Sequence, residues 1–400
     1  MGALDGITVL SFNHFLSGPA AAQFLGDIGA DVIAVEPLNG AFQRNWAVGN
    51  RFVDDTSVNH MTTGRNKRSI AVDLKSPEGL AAVRRLIAKA DVVMENFRPG
   101  TLEKLGLSEA AMREINPRLI YAATTGYGGD GPYRDRPGQD VLLQAMSGLA
   151  AHTGSMESGP VAIGSVPIDH HAAALTVAGI LAALFERERT GKGKRIEVNM
   201  LQAALDLQGE SITAWMNGAD RAGPRGQAGM ANWFSPAPYG IYAVKDGHVM
   251  ISMSTPADLA RALGLPALAG FTEKDGFDRR GEISVIVAEG MAGLTAGEAL
   301  DRLAAAGVWH ELVRDYDSLR DNPQARHLGV FMDMQTQAGS AMTLLSHPIR
   351  YDGVLPAVRI VPQPLGGQTR EVLAEAGFED DEIESLLAAG AVAQTSRMRG

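Results

Sequence analysis

The sequence predicts an α/β protein in which a large, mainly parallel sheet carries helices and a smaller α+β domain follows. Three observations point there. The first 200 residues alternate short β-branched runs with helical patterns, the signature of βαβ units. A stretch rich in Gly, Arg, Ala and Pro from Gly218 to Gly229 breaks that rhythm, and a strand, turn and strand pattern comes after it. At 400 residues, the chain exceeds the roughly 250–300 at which a single core stops growing, so at least two cores are expected.

Ile7 to Phe12 and Asp31 to Glu36 read as strands, and the helix between them opens at Ser17-Gly18-Pro19 with a serine cap and a proline in its first turn. Arg68 to Leu74 is a third strand, and Ser76-Pro77-Glu78 starts a helix that runs to Ala90. Asp91 to Glu95 and Leu119 to Thr124 continue the series. From Thr125 to Gly138 the composition turns to Gly, Pro, Asp, Arg and Tyr, which predicts a long irregular loop of the kind often tied to function. Asp169 precedes a helix from about Ala172 to Arg189, which Gly191-Lys192-Gly193 stops; Arg195 to Asn199 then reads as a strand and Leu201 to Met216 as a long helix. Beyond the linker, Tyr239 to Val244, the Lys245-Asp246-Gly247 turn and His248 to Met253 predict a hairpin. Helices fill the chain to about Leu319, Ile349 to Val361 returns to extended character, and Thr369 to Ala388 carries two short helices. The tail with Arg397 and Arg399 reads as frayed.

Composition narrows the function. Thirty-six Lys and Arg against forty-six Asp and Glu leave a net charge of -10, which argues against nucleic acid or an anionic membrane as the main partner. Cysteine is absent, removing disulfides, thiolate metal sites and a Cys nucleophile, and fitting a cytoplasmic protein. No basic segment precedes a long apolar run at the N-terminus, so no secretion signal is expected. The longest apolar run, Ala172 to Phe185, is about 14 residues, short of the ~20 that cross a bilayer. It reads as a buried helix.

Gly126-Tyr127-Gly128-Gly129-Asp130-Gly131 satisfies G-x-G-x-x-G after a strand, but Pro132 to Pro137 continues the loop where a dinucleotide site needs a helix N-terminus. Nucleophile elbows, Walker loops, zincin motifs and EF-hand loops are absent. His170 and His171, adjacent on a helix, diverge and make a poor metal clamp, so no metal site is expected. Glu95-Asn96-Phe97-Arg98-Pro99-Gly100 ends a strand and opens a helix containing Lys104. Ligands of open α/β sheets sit beyond strand carboxyl ends, where Arg98 and Lys104 can hold phosphate, while a turn with a solvated Arg explains the same residues. Asp169 admits two readings. It is placed to cap the helix after it, and a carboxylate held anionic at a helix start is also what covalent catalysis by Asp requires.

Taken together, Leu4-Asp5-Gly6, Ser17-Gly18-Pro19, Gly29 to Ile33 with Val35-Glu36, Asn66 to Ile70, Glu95 to Gly100, Gly126-Tyr127-Gly128, Leu181 to Leu184, Arg189 to Gly193, Asn322-Pro323-Gln324 and Leu365-Gly366-Gly367 give a chain that resembles the family III coenzyme A transferases. That group contains formyl-CoA:oxalate and carnitine CoA-transferases, with α-methylacyl-CoA racemases as relatives. The resemblance covers nearly the whole chain. It implies a large Rossmann-like domain built from both chain ends (1–200 and 331–400), a linker at 201–229, a small domain at 230–330, and an interlocked homodimer. It also implies a nucleophile, Asp169, ten residues before Gly179. CoA contacts follow for Leu16, Ser17, Val72, Asn96, Phe97, Arg98 and Lys104, where lysine replaces the arginine of several members and keeps charge without bidentate geometry.

Gln139, Asp140, His14 and His170 are implied as active-site wall. No permanently bound cofactor is implied; the CoA thioester is substrate. Racemases of the group carry a His-Asp pair where Gln139-Asp140 stands, and glutamine cannot move a proton, so a 2-methylacyl-CoA racemase is the lesser reading beside CoA transfer. A non-catalytic acyl-CoA-binding protein is the third. Formyl-CoA:oxalate transferases have a glutamine at the place of Leu16 and a poly-glycine lid where this chain has only Gly223 to Gly229, which argues against oxalate. A short carboxylic or dicarboxylic acid is expected, with succinyl-CoA as donor or an intramolecular shift, and His14, His170 and Arg136 are candidates to meet a second carboxylate.

Overall fold

The computed structural model describes residues 2–219, 225–227 and 229–395. Residues 220–224 and 228 of the Gly-rich linker, including Gly223 and Pro224, and Arg397 and Arg399 of the tail lie outside the described residues. Two compact units emerge. The first comprises Met1–Leu143, Val166–Ala203 and Pro323–Gly400, the second Gln144–Ser165 and Ala204–Asn322.

The first unit is organised by six parallel strands: β1 (Thr8–Phe12), β2 (Asp31–Glu36), β3 (Lys67–Val72), β4 (Val92–Glu95), β5 (Ile120–Thr125) and β6 (Arg195–Asn199). Their spatial order is β3-β2-β1-β4-β5-β6, and the short antiparallel strand Val392–Ala393 closes the β3 edge. This is the doubly wound order whose direction reverses between β1 and β4, the place where open α/β sheets bind ligands. Successive strand residues serve opposite faces. Val9, Val32, Val92 and Ile120 pack with helix α1 (Ser17–Asp27) and helix α3 (Pro167–Thr190). Leu10, Ile33, Val93 and Tyr121 pack with helix α2 (Pro77–Lys89) and the helices Thr369–Glu375 and Asp380–Ala388. Val and Ile runs form these strands because both faces are covered by helices.

In the second unit, Gly247–Ile251 lies between Gly240–Val244 and His310–Leu312 in an antiparallel sheet. Helices Pro256–Leu263, Arg280–Ala292 and Ala296–Ala305 bury Leu259, Val287 and Leu303 in its core.

Several local expectations are corrected. Ser17 does not cap α1: Leu16 holds the cap position without a side-chain bond, and Ser17 is the first helical residue. By contrast, Ser76 caps α2 as the Ser-Pro-Glu pattern requires, accepting the Gly79 N–H. Asp169 is not a cap either. Helix α3 starts at Pro167, with Val166 as cap residue, because proline's missing N–H costs nothing at the first position. At 24 residues α3 is long and apolar enough to cross a bilayer, against the expectation from its 14-residue apolar core. Here it lies on the sheet with Ala173, Val177 and Ile180 in the core.

The helix expected over Leu201 to Met216 is two, Met200–Asp206 and Gly209–Met216. The β character expected at Ile349 to Val361 is instead in the hairpin Phe331–Gln335 and Ala341–Leu345. Pro348, Pro356 and Pro362 remove ladder donors from the later segment, which keeps one isolated bridge between Tyr351 and Val354.

Candidate active site

The carboxyl ends of β1 and β4 flank the reversal of strand order, and the residues after them are tied together. The Asn96 side chain accepts the His14 N–H at 2.8 Å and donates to the His14 carbonyl at 2.8 Å. This reciprocal pair uses an amide side chain as a local stand-in for a strand, so the loops after β1 and β4 hold one register. The Phe97 ring stands edge-on to the His14 ring with centroids 5.0 Å apart. Burial pushes the His14 imidazole down to about 4, so it is neutral at pH 7.

The β1 loop leads into α1, whose first residue faces Asp169. The Ser17 backbone N–H lies on the side of the Asp169 carboxylate and favours its charged form. Asp169 is the third residue of α3 and half-buried. Asp140, buried and first in the helix Asp140–Met146, supplies the missing cap of α3: its Oδ2 accepts the N–H groups of Ile168 at 2.8 Å and Asp169 at 3.0 Å. Burial, then the Asp140 charge, push the Asp169 carboxyl up to about 7, against the Ser17 N–H. The result is a carboxylate that ionises near neutrality and is poorly solvated, conditions that favour nucleophilic attack.

The remaining residues divide. Leu16 and Ser17 sit at the start of α1, and Gln139 is exposed just before Asp140. Arg98 is exposed in the turn after β4, and Lys104 is exposed at the end of the helix Thr101–Lys104. His170 is exposed beside Asp169, and Arg136 lies over the Tyr133 ring at 3.9 Å. The Val72 side chain is elsewhere, in the core cluster on the α2 face with 2% exposure.

Sequence reasoning missed Glu95 as a charged group. Buried at the end of β4, it accepts the Phe97 N–H at 2.7 Å and the Tyr121 hydroxyl at 3.2 Å, and burial pushes it up to about 7. The available signal was an acidic residue ending a buried apolar strand. The loop after β5 is closed by glycines: a Cβ on Gly126 would stand 2.5 Å from the Gly138 Cα. Among the described residues no group of three or more His, Asp and Glu could hold a metal ion.

A doubly wound sheet with a half-buried aspartate presented beside its switch point defines an α/β enzyme site, and comparison with known proteins gives its family. The profile of CoA-transferase family III matches residues 4–370. The chain belongs to CoA-transferase family III, and it is a CoA-transferase. It is 31% identical to the succinyl-CoA:glutarate CoA-transferase of Mus musculus over 98% of this chain and 91% of that one. Identity to the succinyl-CoA–L-malate CoA-transferase beta subunit of Chloroflexus aurantiacus is 34%, over 96% of each. The crystal structure of a CaiB/BaiF family protein from Brucella suis superposes with a TM-score of 0.82 at 30% identity, covering 94% of this chain and 99% of that one.

Proposed function

We propose that this protein moves CoA from a dicarboxylic acyl-CoA, with succinyl-CoA the first donor to test, to a short dicarboxylic acid through covalent intermediates on Asp169. The observation that carries the reading is the half-buried Asp169 side chain at the start of α3, whose backbone N–H the Asp140 carboxylate fixes at 3.0 Å. The named relatives, which act on succinyl-CoA with glutarate or malate, support the substrate class.

The ionised carboxylate attacks the thioester carbonyl, the C–S bond breaks, and CoA leaves as thiolate from an acyl-aspartyl anhydride. The thiolate then attacks the aspartyl carbonyl and expels the donor acid, leaving an aspartyl-CoA thioester. The acceptor carboxylate attacks that thioester, forming a second anhydride and free thiolate. Thiolate attack on the acceptor acyl carbon releases the new acyl-CoA and the Asp169 carboxylate. Energy of the thioester is conserved because no step admits water. Leu16, Ser17, Asn96 and Phe97 would line the pantetheine path where β1 and β4 end, with Arg98 and Lys104 on the phosphates. The family resemblance supports a homodimer, which sedimentation analysis tests.

The deciding experiment incubates the protein with succinyl-CoA, traps with borohydride or hydroxylamine, and maps the product by peptide mass spectrometry. A trapped product at Asp169 that Asp169→Ala abolishes supports the mechanism. Bound succinyl-CoA with no modification of Asp169 would remove it.

A further inference from the structure

Near the turn that carries Ser17 lies a small, partly open chamber with several polar side chains in its lining. Its cavity of about 20 Å³ is lined by Ser11, Asn13, Glu36, His60 and Lys67 among others, all buried. One water molecule needs about 10–15 Å³ and two to four polar partners. Lys67, the first residue of β3, reaches across to α1, where its Nζ donates to the Pro19 carbonyl at 2.7 Å. That bond takes one of three ammonium protons. Across the chamber Asn13 donates to Ser11 Oγ at 2.7 Å, while its Oδ1 has no hydrogen-bond partner. The Asn13 amide is pressed against α1: a Cβ on Gly18 would fall 2.2 Å from Oδ1.

A buried ammonium with one hydrogen bond and a buried carbonyl oxygen with none thus line a cavity large enough for one water. Burial pushes Lys67 down to about 7, with Glu36 and Asp27 acting against this and Arg65 and Arg44 adding to it, so the ammonium is under-solvated without a further acceptor. His60 faces the same chamber and is held neutral by burial. The hydrogen bond of the lysine ends on Pro19, in the segment 13–19. This segment delivers the Ser17 N–H to Asp169.

We propose that Lys67 is a positioning residue for the nucleophile: through the Pro19 carbonyl, and through one ordered water held between its ammonium group and Asn13 Oδ1, it fixes the turn that presents the Ser17 N–H to Asp169. The inference rests on the reading of Asp169 as the nucleophile.

The test uses the full chain. Lys67→Met keeps side-chain length and removes the ammonium. Because the protein has no cysteine, Lys67→Cys can also be alkylated with 2-bromoethylamine in denaturant and refolded, which restores an ammonium at nearly lysine length. The first readout is the pH dependence of carbodiimide labelling at Asp169, which needs no CoA. The second is the rate at which succinyl-CoA loads Asp169, trapped with borohydride.

In Lys67→Met the labelling midpoint is expected to move to higher pH. The loading rate at saturating succinyl-CoA falls roughly 10- to 100-fold, as a misplacement of about 1 Å produces. The half-saturating concentration changes less than about twofold, and the alkylated variant regains both properties. A folded Lys67→Met with unchanged midpoint and rate would overturn the proposal, as would an alkylated variant no better than its parent. Should Lys67→Met fail to fold, Lys67→Gln carries the same two readouts. If the unmodified protein never loads, the nucleophile reading fails, and the labelling midpoint still decides whether Lys67 acts on Asp169. A crystal structure with the chamber empty would remove the water from the proposal.

Discussion

The Asp140 carboxylate accepts the Asp169 backbone N–H at 3.0 Å, and the charge that makes that bond also opposes ionisation of the Asp169 side chain. One acid therefore fixes the position of the other and sets its affinity for protons. Asp140→Asn separates the two effects, since an amide oxygen still accepts from Ile168 and Asp169 while the charge is gone. The acid limb of kcat with succinyl-CoA and glutarate is expected to move down by about 0.5–1 pH unit. Asp140→Ala removes the acceptor as well, leaves two N–H groups unpaired, and costs about 1–3 kcal/mol in urea unfolding. An unmoved limb in Asp140→Asn would mean that burial alone governs Asp169.

Asp169 also makes stability depend on pH in the less common direction. In the folded protein the carboxyl holds its proton up to about 7, whereas an unfolded Asp releases it near 3.8. Between these values the folded state binds more protons, so stability falls as pH rises and the full loss is reached above about 7. Asp169→Asn does not ionise. Relative to the unmodified protein it is expected to be more stable by roughly 1–3 kcal/mol at pH 8 and to show little gain at pH 4, measured by urea unfolding at both. A gain that is the same at both pH values would show that the side chain is not held protonated.

How far these features could be read from the sequence depends on the range of the interaction. The parallel strands of the sheet were legible to within a residue or two because apolar runs such as Asp31–Glu36 and Ile120–Thr125 report a sheet covered on both faces. The cap of α2 was legible because Ser76 and Gly79 are three residues apart. The start of α3 was misread because its end groups are satisfied from afar. Asp140 reaches α3 across 28 residues of chain, so no local pattern records that bond. Asp169 itself came from its spacing to Gly179 and the family resemblance. Glu95 stayed hidden because a buried carboxylate and an exposed one look alike until burial is known.

The Asn96 pair with the His14 backbone predicts coupled losses. Asn96→Ala deletes an acceptor and a donor whose partners are part-buried, which is expected to cost about 1–3 kcal/mol in urea unfolding. Because His14 leads directly into Ser17, the same variant is expected to raise the KM for succinyl-CoA severalfold. Asn96→Asp keeps the acceptor and loses the donor, so it should fall between. A KM unchanged in Asn96→Ala would detach this pair from the substrate path.

Gly18 is the tightest point of the first turn of α1. Alanine normally favours a helix over glycine by about 1 kcal/mol, but here the added Cβ would lie 2.2 Å from Asn13 Oδ1 and 2.5 Å from its Cγ, with both residues buried. The clash outweighs propensity, and Gly18→Ala is expected to destabilise by roughly 1–3 kcal/mol while displacing the Ser17 N–H from Asp169. Asn13→Ala in the same chain removes the amide but leaves the Asn13 Cβ position 2.9 Å from the new methyl. The double variant should therefore regain only part of the stability lost. Thermal unfolding of the two single variants and the double one measures this directly, and a Gly18→Ala protein as stable as the parent would show that the turn can shift away from Asn13.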